Sequence, residues 1–444
     1  MRKYSTSDRL SNQVPNSAMI LMVAIAYGTR SSRTTKINTS MKILVLNAGS
    51  SSQKSCLYEL IGATLPEHPP HPLWEAQIDW THQELKVKTA QGNVLEETLQ
   101  SSSRADGTAQ MLETLWNGKT GVIENPAEIN IVGHRVVHGG EEYRQSTFVT
   151  KEVKDAIARL SIFAPVHNPA NLEGIEAIEK ILPTLPQVVV FDTAFHATLP
   201  PAAFVYPGPY EWLEMGIRRY GFHGISHQYC AQRAAQILGK DLKQLRIITC
   251  HLGNGCSLAA VREGRSIDTT MGFTPLEGLM MGSRSGSIDP GILIHLLRQG
   301  DVTVDELDDI LNRQSGLQGV SGVSNDMRQI GEAIASGNSR AQLAFDIFIH
   351  RLRSGIGAML ASLGGLDALI FTAGIGENAE EVRTSACLAF GFLGLKLDLE
   401  QNEQKLAVDR DIATPDSTVR VLAIHTQEDW AIAQECWQLW TGNR

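Results

Sequence analysis

Two distant stretches of the chain read alike: an apolar strand runs into a loop of small residues and then into a second strand. The first is Ile43-Leu44-Val45-Leu46, then Asn47-Ala48-Gly49-Ser50-Ser51-Ser52, then a polar-apolar strand from Lys54 to Leu60. The second is Ile247-Ile248-Thr249-Cys250, then His251-Leu252-Gly253-Asn254-Gly255-Cys256-Ser257, then Leu258 to Val261. Gly and Ser at such turns let backbone N–H groups come close to a phosphate, and two facing hairpin loops can grip it from both sides. One such hairpin is an ordinary tight turn. Its recurrence in a matching context favours a phosphate grip over a pair of ordinary turns. The sequence lacks the GxxxxGK[ST] pattern of a P-loop, which excludes the commonest nucleotide-hydrolysing architecture.

The length, 444 residues, exceeds what one ordinary core supports and suits two or three domains, two lobes being the simplest reading. With 43% hydrophobic and 20% charged residues the chain has the composition of a soluble globular protein, which permits a well-packed enzyme. A formal net charge of -9 argues against a nucleic-acid partner, so any anionic substrate must be handled by local cations. Cys56, Cys230, Cys250, Cys256, Cys387 and Cys436 form no CxxC pair, which suggests neither zinc nor a disulfide framework and fits reduced thiols in the cytoplasm. No apolar run reaches the ~18 residues that a membrane span needs. Residues 1–40 stand apart: basic and polar, then apolar from Ala18 to Ala26, then rich in Ser, Thr and Arg. They read as a targeting segment, or as the product of an upstream start codon ahead of Met41, after which a strand begins at once.

A third glycine loop, Thr372-Ala373-Gly374-Ile375-Gly376-Glu377-Asn378, follows the apolar run Ala368-Leu369-Ile370-Phe371, with a helix expected from Ala379 onward. Strand, glycine turn and helix N-terminus make a favourable seat for a nucleotide's polar groups. A long helix over Arg340–Leu363 carries apolar residues on more than one face and reads as core. The apolar strand Val188-Val189-Val190-Phe191 ends in Asp192, and ligands gather at strand ends in α/β sheets.

Three segments hold polar donors between glycines. Gly133-His134-Arg135-Val136-Val137-His138-Gly139-Gly140 supplies Arg135, whose planar fork suits carboxylate or phosphate. Tyr220-Gly221-Phe222-His223-Gly224-Ile225-Ser226-His227 supplies His223, and Met280-Met281-Gly282-Ser283-Arg284-Ser285-Gly286 supplies Arg284. Together they provide the positive donors that phosphoryl transfer needs around its equatorial oxygens.

From Met41 onward these motifs, in this order, resemble the acetokinase family of the actin/Hsp70/sugar-kinase superfamily. The resemblance rests on Lys42 to Ser52, Gly133 to Gly140, Phe191-Asp192-Thr193-Ala194-Phe195-His196, Arg219 to Gly224, His251 to Gly255, Arg284-Ser285-Gly286 and Gly374 to Asn378. It implies a two-lobed α/β actin-like ATPase (ribonuclease H-like) fold with duplicated mixed-sheet domains and an ATP cleft between them. The first lobe would hold 41–191 plus 430–444 and the second 192–429. It also implies Mg²⁺, with Mn²⁺ as an alternative, organised by Asn47 and Glu428. ATP or ADP would be contacted by Lys54, by His251, Leu252, Gly253, Asn254 and Gly255, by Asp326, Met327 and Arg328, and by Gly374, Ile375, Gly376, Glu377 and Asn378. Arg135 would hold the acyl carboxylate, Asp192 is the family's active-site acid, and His223 and Arg284 would steady the transferring phosphoryl group. Val137, Val166, Phe222 and Pro275 would line the methyl site. A homodimer is implied as well.

Several positions depart from the family pattern. Ile225 and Ser287 stand where Thr and an acidic residue are usual, Thr426-Gln427-Glu428-Asp429 replaces Thr-Asn-Glu-Glu, and Pro165-Val166 replaces Pro-Leu. None removes a catalytic side chain. The expected reaction is reversible, Mg-dependent, direct in-line transfer of the ATP γ-phosphoryl group to acetate. A carboxylate acceptor is already ionised near neutral pH, so Asp192 is better cast as orienting Mg²⁺ or its waters than as a base. The alternatives are a propionate or other short-chain carboxylate kinase, a sugar or polyol kinase, and a non-catalytic ATP-driven sensor of the same fold. The apolar Val137, Val166, Phe222 and Pro275 speak against a polyol pocket.

Overall fold

The apolar runs noted above become the central strands of two mixed sheets in a computed structural model that describes residues 40–442, apart from 50–51, 102, 166 and 406–407. The first sheet contains β1 (Ser40–Ala48), β2 (Ser52–Ile61), β3 (Trp74–Asp79), β4 (Glu84–Thr89), β5 (Val94–Thr98), β6 (Ile129–Val136), β7 (Thr147–Phe148) and β8 (Gln187–Phe191), in the order β5-β4-β3-β2-β1-β6-β8-β7. The second contains β9 (Arg246–Leu252), β10 (Cys256–Arg262), β11 (Arg265–Thr269), β12 (Ala368–Thr372), β13 (Arg410–Asp411) and β14 (Arg420–Ala423), in the order β11-β10-β9-β12-β14-β13.

The two sheets share one plan. In the first, β1–β2 and β2–β3 are antiparallel, β1–β6 and β6–β8 are parallel, and β7 closes the edge antiparallel to β8. In the second, β9–β10 and β10–β11 are antiparallel, β9–β12 and β12–β14 are parallel, and β13 closes the edge antiparallel to β14. The internal similarity of the two hairpins is therefore the visible part of a whole repeated unit, the duplicated mixed sheet of the actin-like fold. Strands β8 and β12 are buried at every residue, which is why both read as unbroken apolar runs: parallel strands are covered on both faces.

Five helices place the site: α1 (Asn168–Ile181), α2 (Gly224–Leu238), α3 (Ser339–Leu363), α4 (Ala373–Asn378) and α5 (Glu428–Thr441). Helix α2 packs on β9 and β12, α5 packs on β1 and β6, and α2 and α5 pack on each other. One apolar core consequently runs from Ile43, Val45 and Ile131 through Cys230, Ala234, Trp430 and Ile432 to Ile247 and Ile370.

Three expectations change. The second hairpin is tighter than the loop His251–Ser257, because Cys256 pairs with Leu252 and Ser257 with His251, leaving Gly253 to Gly255 as the turn. The segment from Ala373 to Asn378 coils at once into α4, and a second helix, Glu380–Leu388, follows; the glycines do not form a separate turn. Helix α3 buries Phe348, Leu352, Ile356 and Met359, but Leu343 is 52% exposed, so its apolar surface is not all core. Residues 1–39 and Val166 lie outside the described residues.

Candidate active site

The carboxyl ends of the parallel strands carry the reactive side chains in both copies of the sheet. In the first, Asn47 lies near the end of β1, Arg135 near the end of β6, and Asp192 directly after β8, where its N–H donates to the Val136 carbonyl at 3.0 Å. The Arg135 Nε donates to both Asp192 oxygens at 3.0 and 3.1 Å, and Nη2 donates to Oδ2 at 2.5 Å. Its remaining nitrogen, Nη1, faces the Asn47 Oδ1 at 3.4 Å, and the Asn47 amide nitrogen reaches Glu428 at 3.4 Å and Asp429 at 3.1 Å. Burial alone would lower the Arg135 guanidinium, but Asp192 and Glu428 raise it above its ordinary value. Burial alone would likewise raise the Glu428 carboxyl, yet Arg135, His251, the Asn47 amide and Lys54 hold it below its usual range. Lys54 is exposed and sits opposite Asn47 across the β1–β2 ladder.

The second copy brings His251 at the end of β9 against His223, which precedes α2. The two imidazoles stack with centroids 4.1 Å apart and 18° between planes. His223 holds a left-handed backbone, φ 57°, and Gly224 next to it donates its N–H to the Asp192 carbonyl at 2.9 Å. A β-carbon on Gly224 would sit 2.2 Å from that carbonyl oxygen, so only glycine lets the two halves of the site meet here. A β-carbon built on Gly255 would lie 3.4 Å from the His223 Cε1 and Nε2 and 3.5 Å from the Arg284 Nη1. The His223 ring, the Arg284 guanidinium and the Gly253–Gly255 turn thus border one space. Burial first, then the neighbouring imidazoles and the two arginines, keep His223 neutral.

Arg284 donates to the Pro275 carbonyl at 3.1 Å and to the Met281 Sδ at 3.8 Å. Among the described residues it has no carboxylate partner, and burial lowers its guanidinium. Val137 and Phe222 are buried in one apolar cluster with Ala164 and Met281.

The third glycine segment contributes through Glu377. Its Oε1 accepts from the N–H of Ala373 at 2.9 Å and of Thr426 at 3.1 Å, and its Oε2 meets the His425 Nδ1 at 2.5 Å. Ala373 itself has φ 63°. Glu377 therefore ties α4 to the segment that leads from β14 to Glu428. A β-carbon on Gly253 would lie 3.7 Å from the Ala373 Cβ, which puts the β9–β10 turn beside α4, and Asn254 accepts from the Gly282 N–H at 3.0 Å. Asp326 caps the helix Met327–Ala335 and pairs with Arg328, whose side chain is 85% exposed.

The residues expected at the site are mostly brought together: Asn47, Arg135, Asp192 and Glu428 in one cluster, His223, His251, Gly255 and Arg284 in another. Sequence reasoning passed over four others. His167 is buried within the fields of Arg135 and Arg284 and is pulled down to about 4, chiefly by burial. Asp429 shares the Asn47 amide with Glu428. His227 and Ser257 contact the His223 system directly. His227 stands in a motif noted above, but nothing in its spacing marked it as facing the site.

The family profile described as the acetokinase family matches residues 42–434. An acetate kinase of Gloeobacter violaceus is 70% identical over 403 residues, covering 90% of this chain and 99% of that protein. Among solved structures, Porphyromonas gingivalis acetate kinase is 41% identical with a TM-score of 0.81, and a propionate kinase from Francisella tularensis is 38% identical with a TM-score of 0.80. Each alignment spans 89% of this chain and 98% of the other. In sequence and in fold, the chain belongs to the acetokinase family.

Proposed function

We infer that the chain transfers the γ-phosphoryl group of ATP to the carboxylate of acetate, giving acetyl phosphate and ADP, and that it runs the same step in reverse. One observation carries the acceptor side of this reading. Arg284 is a half-buried guanidinium, partly shielded from water and without a carboxylate partner among the described residues, beside a neutral His223 and an apolar cluster. A shielded charge left uncompensated by the protein is a site for an anion. Here that anion is the transferring phosphoryl group, and the apolar cluster with Val137 and Phe222 beside it suits the methyl group of an acceptor whose carboxylate Arg135 holds.

The acceptor needs no base, because a carboxylic acid with a pKa of ~4 is ionised at neutral pH. Its difficulty is the approach of one anion to another. Arg135, already fixed by Asp192, and Arg284 offset that repulsion and orient the two reactants in line. Asp192 acts by aiming the Arg135 fork. His223, stacked on His251, presents a neutral donor to the phosphoryl oxygens.

The residues around Asn47 fit Mg²⁺. They are hard oxygen donors, and this ion takes one or two protein carboxylates together with water and phosphate oxygens. Among the described residues no group of three or more His, Cys, Asp or Glu could hold a metal by itself, which matches that sparse mode. Asn47 and Glu428 would hold the ion, which would supply charge neutralisation between the β- and γ-phosphates.

Nucleotide contacts fall to the Gly253–Gly255 turn, α4 and the Asp326 cap, with Lys54 at the mouth. The lobes divide as 41–191 plus 430–444 and 192–429. A second copy of the chain covers the helix Pro290–Gln299, none of whose residues is buried although Ile292, Ile294 and Leu297 lie on it. Six buried, unpaired thiols suit a reducing cytoplasm. No helix among the described residues is long and apolar enough to cross a membrane.

The deciding experiment mixes protein, ATP, Mg²⁺ and acetate and traps acyl phosphate with hydroxylamine. Hydroxamate is expected, in amounts stoichiometric with ADP; ADP release without hydroxamate would overturn the assignment. Sedimentation of the same sample should give twice the chain mass.

A further inference from the structure

Behind His223, away from the reacting groups, lies a row of buried polar side chains that the reaction as described does not use. The Ser257 Oγ is 2.8 Å from the His223 Nδ1 and 2.7 Å from the His227 Nε2. The His227 Nδ1 is 2.6 Å from the Thr249 Oγ1. Ser257, His227 and Thr249 are all fully buried. The register explains their meeting: Thr249 and His251 project from the same face of β9, Ser257 pairs with His251 on β10, and α2 lays His227 over that face.

Such a row can carry its protons in only one direction at a time, because each neutral imidazole has one N–H and one lone pair, and each hydroxyl has one proton. The site end, where an Nε2 lone pair would face phosphoryl oxygens, selects which. The Thr249 hydroxyl is 2.6 Å from the His227 Nδ1, whereas its only other acceptor among the described residues, the Ala259 carbonyl, is 3.4 Å away. The 2.6 Å contact is kept in either order, so Thr249 can give its proton to His227 at the cost of only the long Ala259 contact. With His227 accepting at Nδ1, its Nε2–H donates to Ser257, and the Ser257 hydroxyl donates to the His223 Nδ1.

We propose that Thr249, His227 and Ser257 are positioning residues which, through this one-way chain, hold His223 as the Nε2–H tautomer with that proton facing the transferring phosphoryl group. The proposal rests on the reading of His223 as a phosphoryl donor. A lone pair at Nε2 in the same place would repel the oxygens it is meant to steady. A parallel arrangement on the stacked ring supports it: Thr426 donates to the Ser226 Oγ at 2.9 Å, and Ser226 lies 2.8 Å from the His251 Nδ1. Two stacked imidazoles thus have the same ring nitrogen turned toward a serine.

The test reads the tautomer directly. In protein labelled with ¹⁵N in its histidines, with His223 assigned through a His223→Gln variant, two-bond ¹H–¹⁵N correlations distinguish a protonated from a bare ring nitrogen. The natural protein should show His223 protonated at Nε2 and bare at Nδ1. Thr249→Val, which keeps the shape but loses the hydroxyl, should move both nitrogens toward averaged shifts and lower kcat about two- to threefold with KM values unchanged. Thr249→Ser should restore the natural spectrum and rate. Ser257→Ala, which cuts the chain at His223 itself, should lower kcat roughly tenfold, as removal of an orienting partner does. Protonation at Nδ1 in the natural protein, which needs no variant to observe, overturns the proposal, as does a Thr249→Val spectrum identical to the natural one. If the tautomer shifts as stated while kcat does not, the chain stands and the reading of His223 as phosphoryl donor falls.

Discussion

Arg135 and Arg284 differ in what surrounds them, and the difference divides their effects. Arg135 is half of a buried ion pair, so Arg135→Ala should raise the acetate KM ~10-fold or more and also leave Asp192 unpaired, at a stability loss of about 3–5 kcal/mol. Among the described residues Arg284 pairs with no carboxylate. Arg284→Ala should lower kcat ~100-fold, in the manner of a lost transition-state donor, without a fall in melting temperature. Steady-state kinetics and thermal melts on both variants check this, and matching changes in KM and kcat in the two would refute the division. In the sequence, Val166 is one methylene shorter than the leucine of the usual Pro-Leu motif, a difference worth ~0.8 kcal/mol of apolar contact when buried. If it faces acetate beside Val137 and Phe222, Val166→Leu should lower the propionate-to-acetate ratio of kcat/KM by about fourfold. An unchanged ratio would leave Val166 a tolerated core substitution. Arg135 and Arg284 were legible because each stands between glycines. His227 and Ser257 were not, since their meeting depends on the β9–β10 register and on where α2 lies, neither of which a local pattern encodes.

At the scale of elements, the glycine segment shows where sequence reading gave way to packing. Gly374 and Gly376 suggest a turn, but Glu377, three residues past the first of them, accepts the N–H groups of Ala373 and Thr426 and thereby lets the chain coil at once. A carboxylate serving two backbone donors across 49 residues of sequence has no periodic signature. Glu377→Ala orphans both donors, and we expect a loss of about 1–3 kcal/mol for each that stays dry. The ATP KM should rise as well, because α4 and the approach to Glu428 lose their shared strut. Glu377→Gln, with one acceptor oxygen left, should fall between. Urea unfolding of the two variants measures this; an Ala variant as stable as the natural protein would show that water or His425 replaces the carboxylate. The hairpins and central strands, in contrast, were readable from apolar runs alone, because parallel strands covered on both faces leave no alternation to misread.

For the whole molecule, the histidines set the acid limit. His134, His138, His167 and His196 are each pushed down to about 4 by burial. A histidine whose folded value lies below its unfolded value of ~6.5 binds fewer protons when folded, so stability is intact above pH 6.5 and is lost as pH falls toward 4. Each contributes on the order of 3 kcal/mol across that window. Four together approach the about 5–15 kcal/mol that holds a typical protein, so the chain should unfold before pH 4 is reached. His134 bonds Gln187 inside the first sheet, away from the reacting groups, and makes the cleanest probe. His134→Gln should flatten the dependence of unfolding free energy on pH between 6.5 and 4; an unaltered slope would assign acid lability to the carboxylates. The duplication, legible from two hairpins, extends over both sheets, while the share of the chain in each lobe had to be read from the family resemblance.

The crossing of α2 and α5 has a mechanical consequence. Each helix begins at a reacting group, α2 just after His223 and α5 at Glu428, and each is seated on a different sheet. The contact that joins the two sheets therefore also acts as a pivot, with His223 mounted at the end of one arm and Glu428 at the end of the other. Any hinge motion of one sheet against the other opens or closes the gap between those groups in proportion, so the state of the whole molecule is gauged at the place where the phosphoryl group passes.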